Sequence, residues 1–133
     1  MYRNKNYTNM AKPTESELKI LQILWERGAS SVREVHQVIS QNKESGYTTT
    51  LKLMQIMTEK GLTTRDTSSK THIYIAHASE SNTKRDLLQS FIFNTFKGSA
   101  KSLVLQALGN EETSKEDLDE IKSLIRKIEN QGE

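Results

Sequence analysis

A mostly α-helical fold carrying one small β-hairpin is what this sequence predicts, on three observations. The first is the stretch Gly46-Tyr47-Thr48-Thr49-Thr50-Leu51-Lys52-Leu53-Met54-Gln55-Ile56-Met57-Thr58-Glu59-Lys60-Gly61-Leu62. At about 100° per residue it places Leu53, Met57, Met54 and Thr50 on one side and Thr48, Lys52, Gln55 and Glu59 on the other. The second is a pair of short runs rich in β-branched residues directly after that helix, Leu62 to Asp66 and Thr71 to Ala76, split by the polar stretch Thr67-Ser68-Ser69-Lys70. The third is that the chain beyond Ser79 carries apolar residues at helical spacing and no strand pattern. A helix that docks by one face and runs into a polar-tipped hairpin is the recognition helix and wing of a winged helix-turn-helix. The sequence thus predicts a winged helix-turn-helix domain followed by a helical domain.

Taken in order, Met1 to Lys12 is polar and is expected to be a flexible N-terminal segment. Thr14 and Glu17 are spaced as a capping box, in which a hydroxyl and a carboxylate satisfy amides of the first helical turn. The helix they open has Leu18, Ile20, Leu21, Leu24 and Trp25 as its buried stripe, with Trp25 expected as the core anchor and Gly28 as the end. A second capping box, Ser31 with Glu34, begins a helix that turns Val32, Val35, Val38 and Ile39 inward and ends near Gln41. The polar loop Asn42 to Gly46 leads to the recognition helix. There one of Thr48 to Thr50 is expected to supply the N-cap hydroxyl, and Gly61 the left-handed residue that ends the helix. The hairpin completes a winged-helix domain over 13–78.

Residues 79–133 read as a helical dimerisation domain. Ser81 or Asn82 starts a helix whose Leu87, Leu88, Phe91, Ile92 and Phe96 form a broad stripe ending at Gly98, and Ala100 to Leu108 is a short apolar helix stopped by Gly109. Ser114 then caps a last helix with Leu118, Ile121, Leu124, Ile125 and Ile128 at spacings of three and four. The plain reading of such stripes is intramolecular core. Three broad faces without a compact core of their own favour contact between chains, with Leu87, Phe91, Leu118, Ile121, Leu124, Ile125 and Ile128 as the interface.

Composition sets the limits. With 133 residues, 34% hydrophobic and 27% charged, the chain can hold one domain, or one compact domain plus a smaller helical module, and its modest core suggests that a partner covers some of its apolar surface. The net charge of +2 is uninformative as a sum but not in its distribution: Met1 to Ala78 carries 11 Lys+Arg against 7 Asp+Glu, and Ser79 to Glu133 carries 8 against 10. The basic half holds the wing. The absence of cysteine excludes disulfides, thiolate metal sites and cysteine nucleophiles. No apolar run approaches the roughly 18 residues of a membrane span, and no signal-peptide core follows the N-terminus, so a cytoplasmic location is expected.

Double-stranded DNA is the partner these features suit. Thr48, Thr49, Lys52 and Gln55 offer hydroxyl, amide and ammonium groups to base edges, while Arg33, Arg65, Lys70 and His72 suit the phosphate backbone. Taken alone, that helix face also fits an ordinary solvated surface; the adjoining hairpin is what favours DNA. The competing reading is a winged-helix protein-interaction or small-ligand-sensing module with weak DNA affinity, which an acidic or apolar recognition face would have favoured. Catalysis is not expected: His36, His72 and His77 lack ligand spacing, no glycine-rich phosphate loop exists, and Glu116, Asp117, Asp119 and Glu120 sit where a helix dipole favours carboxylates. Neither a metal nor a cofactor is expected.

From about Pro13 to Ile128 the chain resembles the penicillinase-repressor family of bacterial transcription regulators, also called the BlaI/MecI/CopY family. The residues that carry the likeness are Thr14-Glu15-Ser16-Glu17-Leu18-Lys19-Ile20-Leu21-Gln22-Ile23-Leu24-Trp25, Tyr47-Thr48-Thr49-Thr50-Leu51-Lys52, Glu59-Lys60-Gly61-Leu62 and His72-Ile73-Tyr74. The resemblance implies a repressor whose winged helix binds a palindromic operator as a homodimer joined through the C-terminal helices. It further implies release by proteolysis, through a membrane sensor metalloprotease that cuts at an Asn-Phe bond in a helix resembling Ser102 to Ala107. In this chain that bond reads Gln106-Ala107. Copper-responsive members use a C-terminal cysteine cluster, which this chain lacks.

Overall fold

The computed structural model describes residues 12–40, 46–110 and 112–132. The chain divides into two compact units, Met1–Leu87 and Leu88–Glu133. The first begins with α1 (Glu15–Arg27), opened by the anticipated capping box: Thr14 Oγ1 accepts from the Glu17 amide at 3.2 Å and Glu17 Oε1 accepts from the Thr14 amide at 2.9 Å. Gly28 ends it at φ 89°, a conformation that glycine alone adopts without strain. Two residues, Ser30–Ser31, form β1, and Ser31 doubles as the cap of α2 (Val32–Ile39), paired reciprocally with Glu34. The C-terminal limit expected at Gln41 and the loop residues 42–45 lie outside the described residues, as does the N-terminal segment through Ala11.

The helix of greatest interest, α3 (Tyr47–Lys60), differs from expectation at its start. Gly46 is the N-cap and makes no side-chain hydrogen bond, and Thr48, Thr49 and Thr50 are all helical. None of the three supplies the cap, because the helix begins one residue before them; Thr50 is instead turned into the core, at 2% exposure. The far end is as the sequence indicates. Gly61 is left-handed, its amide donates to Thr58, and the Leu62 amide donates to Met57 at 2.9 Å, a reciprocal closure that buries Leu62 beside the helix it ends.

This use of Leu62 shortens the hairpin, so β2 is Thr63–Asp66 and β3 is Ile73–Ala76. The two pair antiparallel with Arg65 opposite Tyr74, and β1 adds to the other edge of β3 with Ser30 opposite Tyr74. Two serines carry no apolar alternation, so β1 had no signature in the sequence. Ile20, Leu21, Leu24, Val32, Val35, Met54, Met57, Leu62, Tyr74 and Ala78 make the core. Trp25 is only half-buried, and it packs at the edge of that core with its indole Nε1 donating to the Ala78 carbonyl at 2.9 Å. Tyr74, fully covered, is the aromatic at the centre instead.

One ion pair ties the first turn of α1 to the last residue of α3. Lys60 Nζ lies 2.7 Å and 3.0 Å from the two oxygens of Glu17, whose side chain is 3% exposed. Burial pushes the Glu17 carboxyl up, but the Lys60 ammonium and the Thr14 hydrogen bonds more than reverse this, leaving it below the usual glutamate range. Lys60→Met would strand that carboxylate and should cost about 2 kcal/mol, a figure reduced because Lys60 itself stays partly solvated. Glu17→Gln keeps the capping box and should cost about half as much. Because the folded pKa is lowered, the pair stabilises the fold fully above the ordinary glutamate pKa, and this contribution is lost as pH falls through the lowered value. Thermal unfolding of the parent and Lys60→Met should therefore differ at neutral pH and converge in acid, once pH has fallen through that lowered value.

The described residues beyond Ser79 form helices joined by short turns. Ser79, not Ser81 or Asn82, caps α4 (Glu80–Phe96), its Oγ accepting from the Asn82 amide at 3.1 Å. The helix stops at Phe96, and Lys97 takes φ 53° ahead of Gly98. Ser99 accepts from the Ser102 amide to open α5 (Ala100–Asn110), which runs through Gly109, since one glycine costs a helix only about 1 kcal/mol. Ser114 caps α6 (Lys115–Gln131), with Glu116 and Asp117 in its first turn.

Candidate nucleic-acid interface

The free side of α3 is built as its periodicity demands. Thr50, Met54 and Met57 are buried against the core, while Thr48, Lys52, Gln55 and Glu59 are exposed. Thr48 and Lys52 occupy the middle of this face near the helix N-terminus. Glu59 shares the sector but lies two turns beyond Lys52, roughly 10 Å along the axis, too far to pair with it.

Tyr47, Leu51 and Gln55 face the wing. They line a cleft of about 430 Å³ whose other walls are Ser31 to Arg33, Arg65, Lys70 to His72 and Tyr74. Five residues expected to contact DNA, Arg33, Gln55, Arg65, Lys70 and His72, are thus gathered around one concavity from four separate stretches of chain. Thr49 lies elsewhere. It lines a groove of about 530 Å³ with Lys19, Gln22, Glu26, Val38, Ile39 and Leu53, on the flank of α3 that faces α1 and α2.

Local hydrogen bonds set the wing tip. Asp66 Oδ1 accepts from the Ser68 amide at 2.9 Å, and Ser69 Oγ donates to the Thr71 carbonyl at 3.0 Å. The Ser68 amide holds the Asp66 carboxyl below its usual range, so Asp66 stays ionised between the cations Arg65 and Lys70. At the base of the hairpin the Thr58 hydroxyl lies 2.9 Å from that of Thr63, which fixes the wing to the last turn of α3. Helix face and wing are therefore presented together.

Sequence reasoning overlooked two side chains beside this face. Tyr47, 42% exposed, meets the His36 ring edge-on at 5.6 Å between centroids, and the Arg33 guanidinium lies 5.8 Å over its ring. His36 Nδ1 is 2.9 Å from Thr50 Oγ1. Only the packing of α2 on α3 brings these four residues together. The acidic stretch of α6 has no such organisation. Among the described residues no group of three or more His, Cys, Asp or Glu side chains is placed to share a metal ion.

A three-helix core with a three-stranded sheet, a polar recognition helix and a cation-lined wing defines a DNA-binding regulator of the winged helix-turn-helix class. A family model described as penicillinase repressor matches residues 13–127. The chain belongs to the penicillinase repressor family. Among its relatives, the methicillin resistance regulatory protein MecI of Staphylococcus aureus (strain N315) is 25% identical over 124 residues, which are 93% of this chain and 98% of that protein. The penicillinase repressor of Staphylococcus aureus is 25% identical over 113 residues, 85% of this chain and 90% of its own length. That of Bacillus licheniformis is 20% identical over 117 residues, with coverage of 88% and 91%. No helix among the described residues is long and apolar enough to cross a membrane.

Proposed function

We propose that this chain is a sequence-specific transcriptional repressor that binds a palindromic double-stranded DNA operator as a homodimer. The observation that carries the reading is the continuity of the exposed α3 face with the cleft lined by Arg33, Gln55, Arg65, Lys70 and His72. Such an arrangement suits a helix lying in the major groove, with Thr48 and Lys52 toward base edges and the wing along the backbone. Thr49, on the flank of the helix, reaches bases only at the edge of the footprint.

Dimerisation is supported by the state of the C-terminal helices. Leu118, Ile121, Ile125 and Ile128 repeat at the spacing of a two-helix seam, with Leu124 alongside; Ile121 is half-buried, and Leu124, Ile125 and Ile128 are each at least 50% exposed. Leu88, Phe91 and Phe93 on α4 are likewise exposed, and Leu87 is half-covered. A second copy would remove such a surface from water. Gln106 and Ala107 are exposed within α5, so the bond at which a sensor metalloprotease would act lies on an accessible helix.

Selection of bound sequences from random duplex DNA tests this function. The expected product is a two-fold symmetric site with half-sites one or more helical turns apart; recovery of no common sequence contradicts the reading. Substitutions then separate base reading from positioning. Lys52→Ala should cost about 1–3 kcal/mol on the selected site and change base preference at its position. Lys70→Ala should weaken selected and random duplexes about equally, as a backbone contact does. A wing substitution that alters preference while Lys52→Ala does not would reverse these roles.

A further inference from the structure

The helix proposed to face DNA has, among the described residues, no side-chain hydrogen bond at its N-cap. Thr14, Ser31 and Ser114 each accept an amide of the first turn of their helices through a side-chain hydroxyl. At α3 the same position is Gly46, which offers only its carbonyl, to the Thr49 and Thr50 amides at 3.1 Å and 3.4 Å. A helix without a side-chain cap frays first at its first turn. Here that turn carries Thr48 and Thr49, and Lys52 comes one turn later.

What α3 lacks at its cap it receives from α2. Tyr47, the first helical residue, is held on its ring by the Arg33 guanidinium at 5.8 Å and by the His36 edge at 5.6 Å with an interplanar angle of 81°. The same His36 reaches the buried Thr50 hydroxyl at 2.9 Å. First and fourth residues of the helix are thereby fastened to one neighbouring side chain. Contacts of these kinds are comparable in strength to an N-cap hydrogen bond.

We propose that Tyr47 is a positioning residue: clamped by Arg33 and His36, it replaces the missing N-cap and fixes the first turn of the recognition helix in the attitude that discriminates base sequence. The proposal rests on the DNA-binding function proposed for α3 and the wing. The ring and not the hydroxyl makes both contacts, so Tyr47→Phe preserves the clamp and Tyr47→Ala removes it. Because the ring is 42% exposed and lies outside the core, its removal leaves the fold intact.

Gly46 supplies the decisive control. Its φ of −74° and ψ of 140° suit serine, and a Cβ there would meet nothing nearer than Thr49 Oγ1 at 3.9 Å. In Gly46→Ser the new hydroxyl can accept from the Thr49 amide, as Ser31 does from Glu34 in α2. A true cap thus stands in for the clamp without touching Arg33, His36 or Tyr47.

The experiment compares the full chain, Tyr47→Phe, Tyr47→Ala and Tyr47→Ala with Gly46→Ser. It reads thermal midpoint, affinity for the selected duplex relative to a random-sequence duplex, and hydrogen exchange of the Thr49 and Thr50 amides, both bonded to the Gly46 carbonyl, in the free protein. Tyr47→Ala should lower the affinity ratio roughly fivefold to tenfold, the effect of losing about one cap, and speed exchange at both amides, with a drop of a few degrees in midpoint and no loss of the cooperative transition. Tyr47→Phe should match the parent, and adding Gly46→Ser to Tyr47→Ala should move ratio and exchange together part of the way back, since serine improves only modestly on a glycine N-cap. An unchanged ratio in Tyr47→Ala overturns the proposal, as does equal loss in Tyr47→Phe, which would mark a direct hydroxyl contact, or failure of Gly46→Ser to rescue. A parent chain without duplex preference overturns the DNA reading itself. Amide exchange then still decides whether the clamp exists.

Discussion

The fragment Met1 to Gln106 should bind a two-half-site operator roughly 10²–10⁴-fold more weakly than the whole chain, although it keeps every residue of the DNA-facing surface. The core of buried apolar residues lies wholly within the winged helix. Ile20 through Ala78 supply all of its buried apolar residues, so ending the chain at Gln106 removes none of them. What it removes is α6 and the exposed seam of Leu118, Ile121, Ile125 and Ile128. With two winged helices joined, capture of the second half-site is intramolecular and proceeds at an effective concentration near millimolar; separated, each must bind alone. The fragment should sediment as a monomer while the whole chain sediments as a dimer. A cut at Gln106-Ala107 would weaken repression by the same route, without chemical change to the DNA-binding surface. A fragment that remains dimeric and titrates like the parent would contradict both the interface and this means of release.

The winged helix was legible because its signals are local. Thr14 with Glu17, Ser31 with Glu34, and Gly61 with Leu62 announce helix ends through contacts made within five residues, and all three ends form as the sequence indicates. The buried side of α3 likewise follows from periodicity alone. The errors share a cause as well. Gly46 displaced the threonines as cap because glycine is silent about helix starts, and β1 escaped notice because its partner, β3, lies more than forty residues away. Trp25 was expected at the centre of the core on account of its size. Its indole N–H needs an acceptor, and the Ala78 carbonyl at the core's edge supplies one, leaving Tyr74 at the centre.

Of the interface, the residue types were readable and their grouping was not. Arg33, Gln55, Arg65, Lys70 and His72 become neighbours only when the hairpin folds back beside α2 and α3. Thr49 and Lys52 looked equivalent as polar residues of one helix. The fold leaves both exposed, Thr49 on the flank toward α1 and α2 and Lys52 on the outer face. The clamp on Tyr47 depends on ring orientations that no spacing rule encodes.

The most direct test of the account is a titration of the full chain against its selected duplex and a random-sequence duplex over a range of salt concentrations. Arg33, Arg65 and Lys70 from each of two copies would neutralise phosphates and release their counterions, so the logarithm of the binding constant should fall linearly with the logarithm of salt, with slope of roughly −0.9 per phosphate contacted. Six such contacts correspond to a loss of about 10³ in affinity between about 50 mM and 200 mM salt. Both duplexes should show a steep slope, and the selected one should hold an advantage of about 10³ or more at physiological salt, because phosphate contacts supply strength and the α3 face supplies choice. A slope near zero, with both duplexes bound alike, would contradict the claim that this winged helix reads DNA.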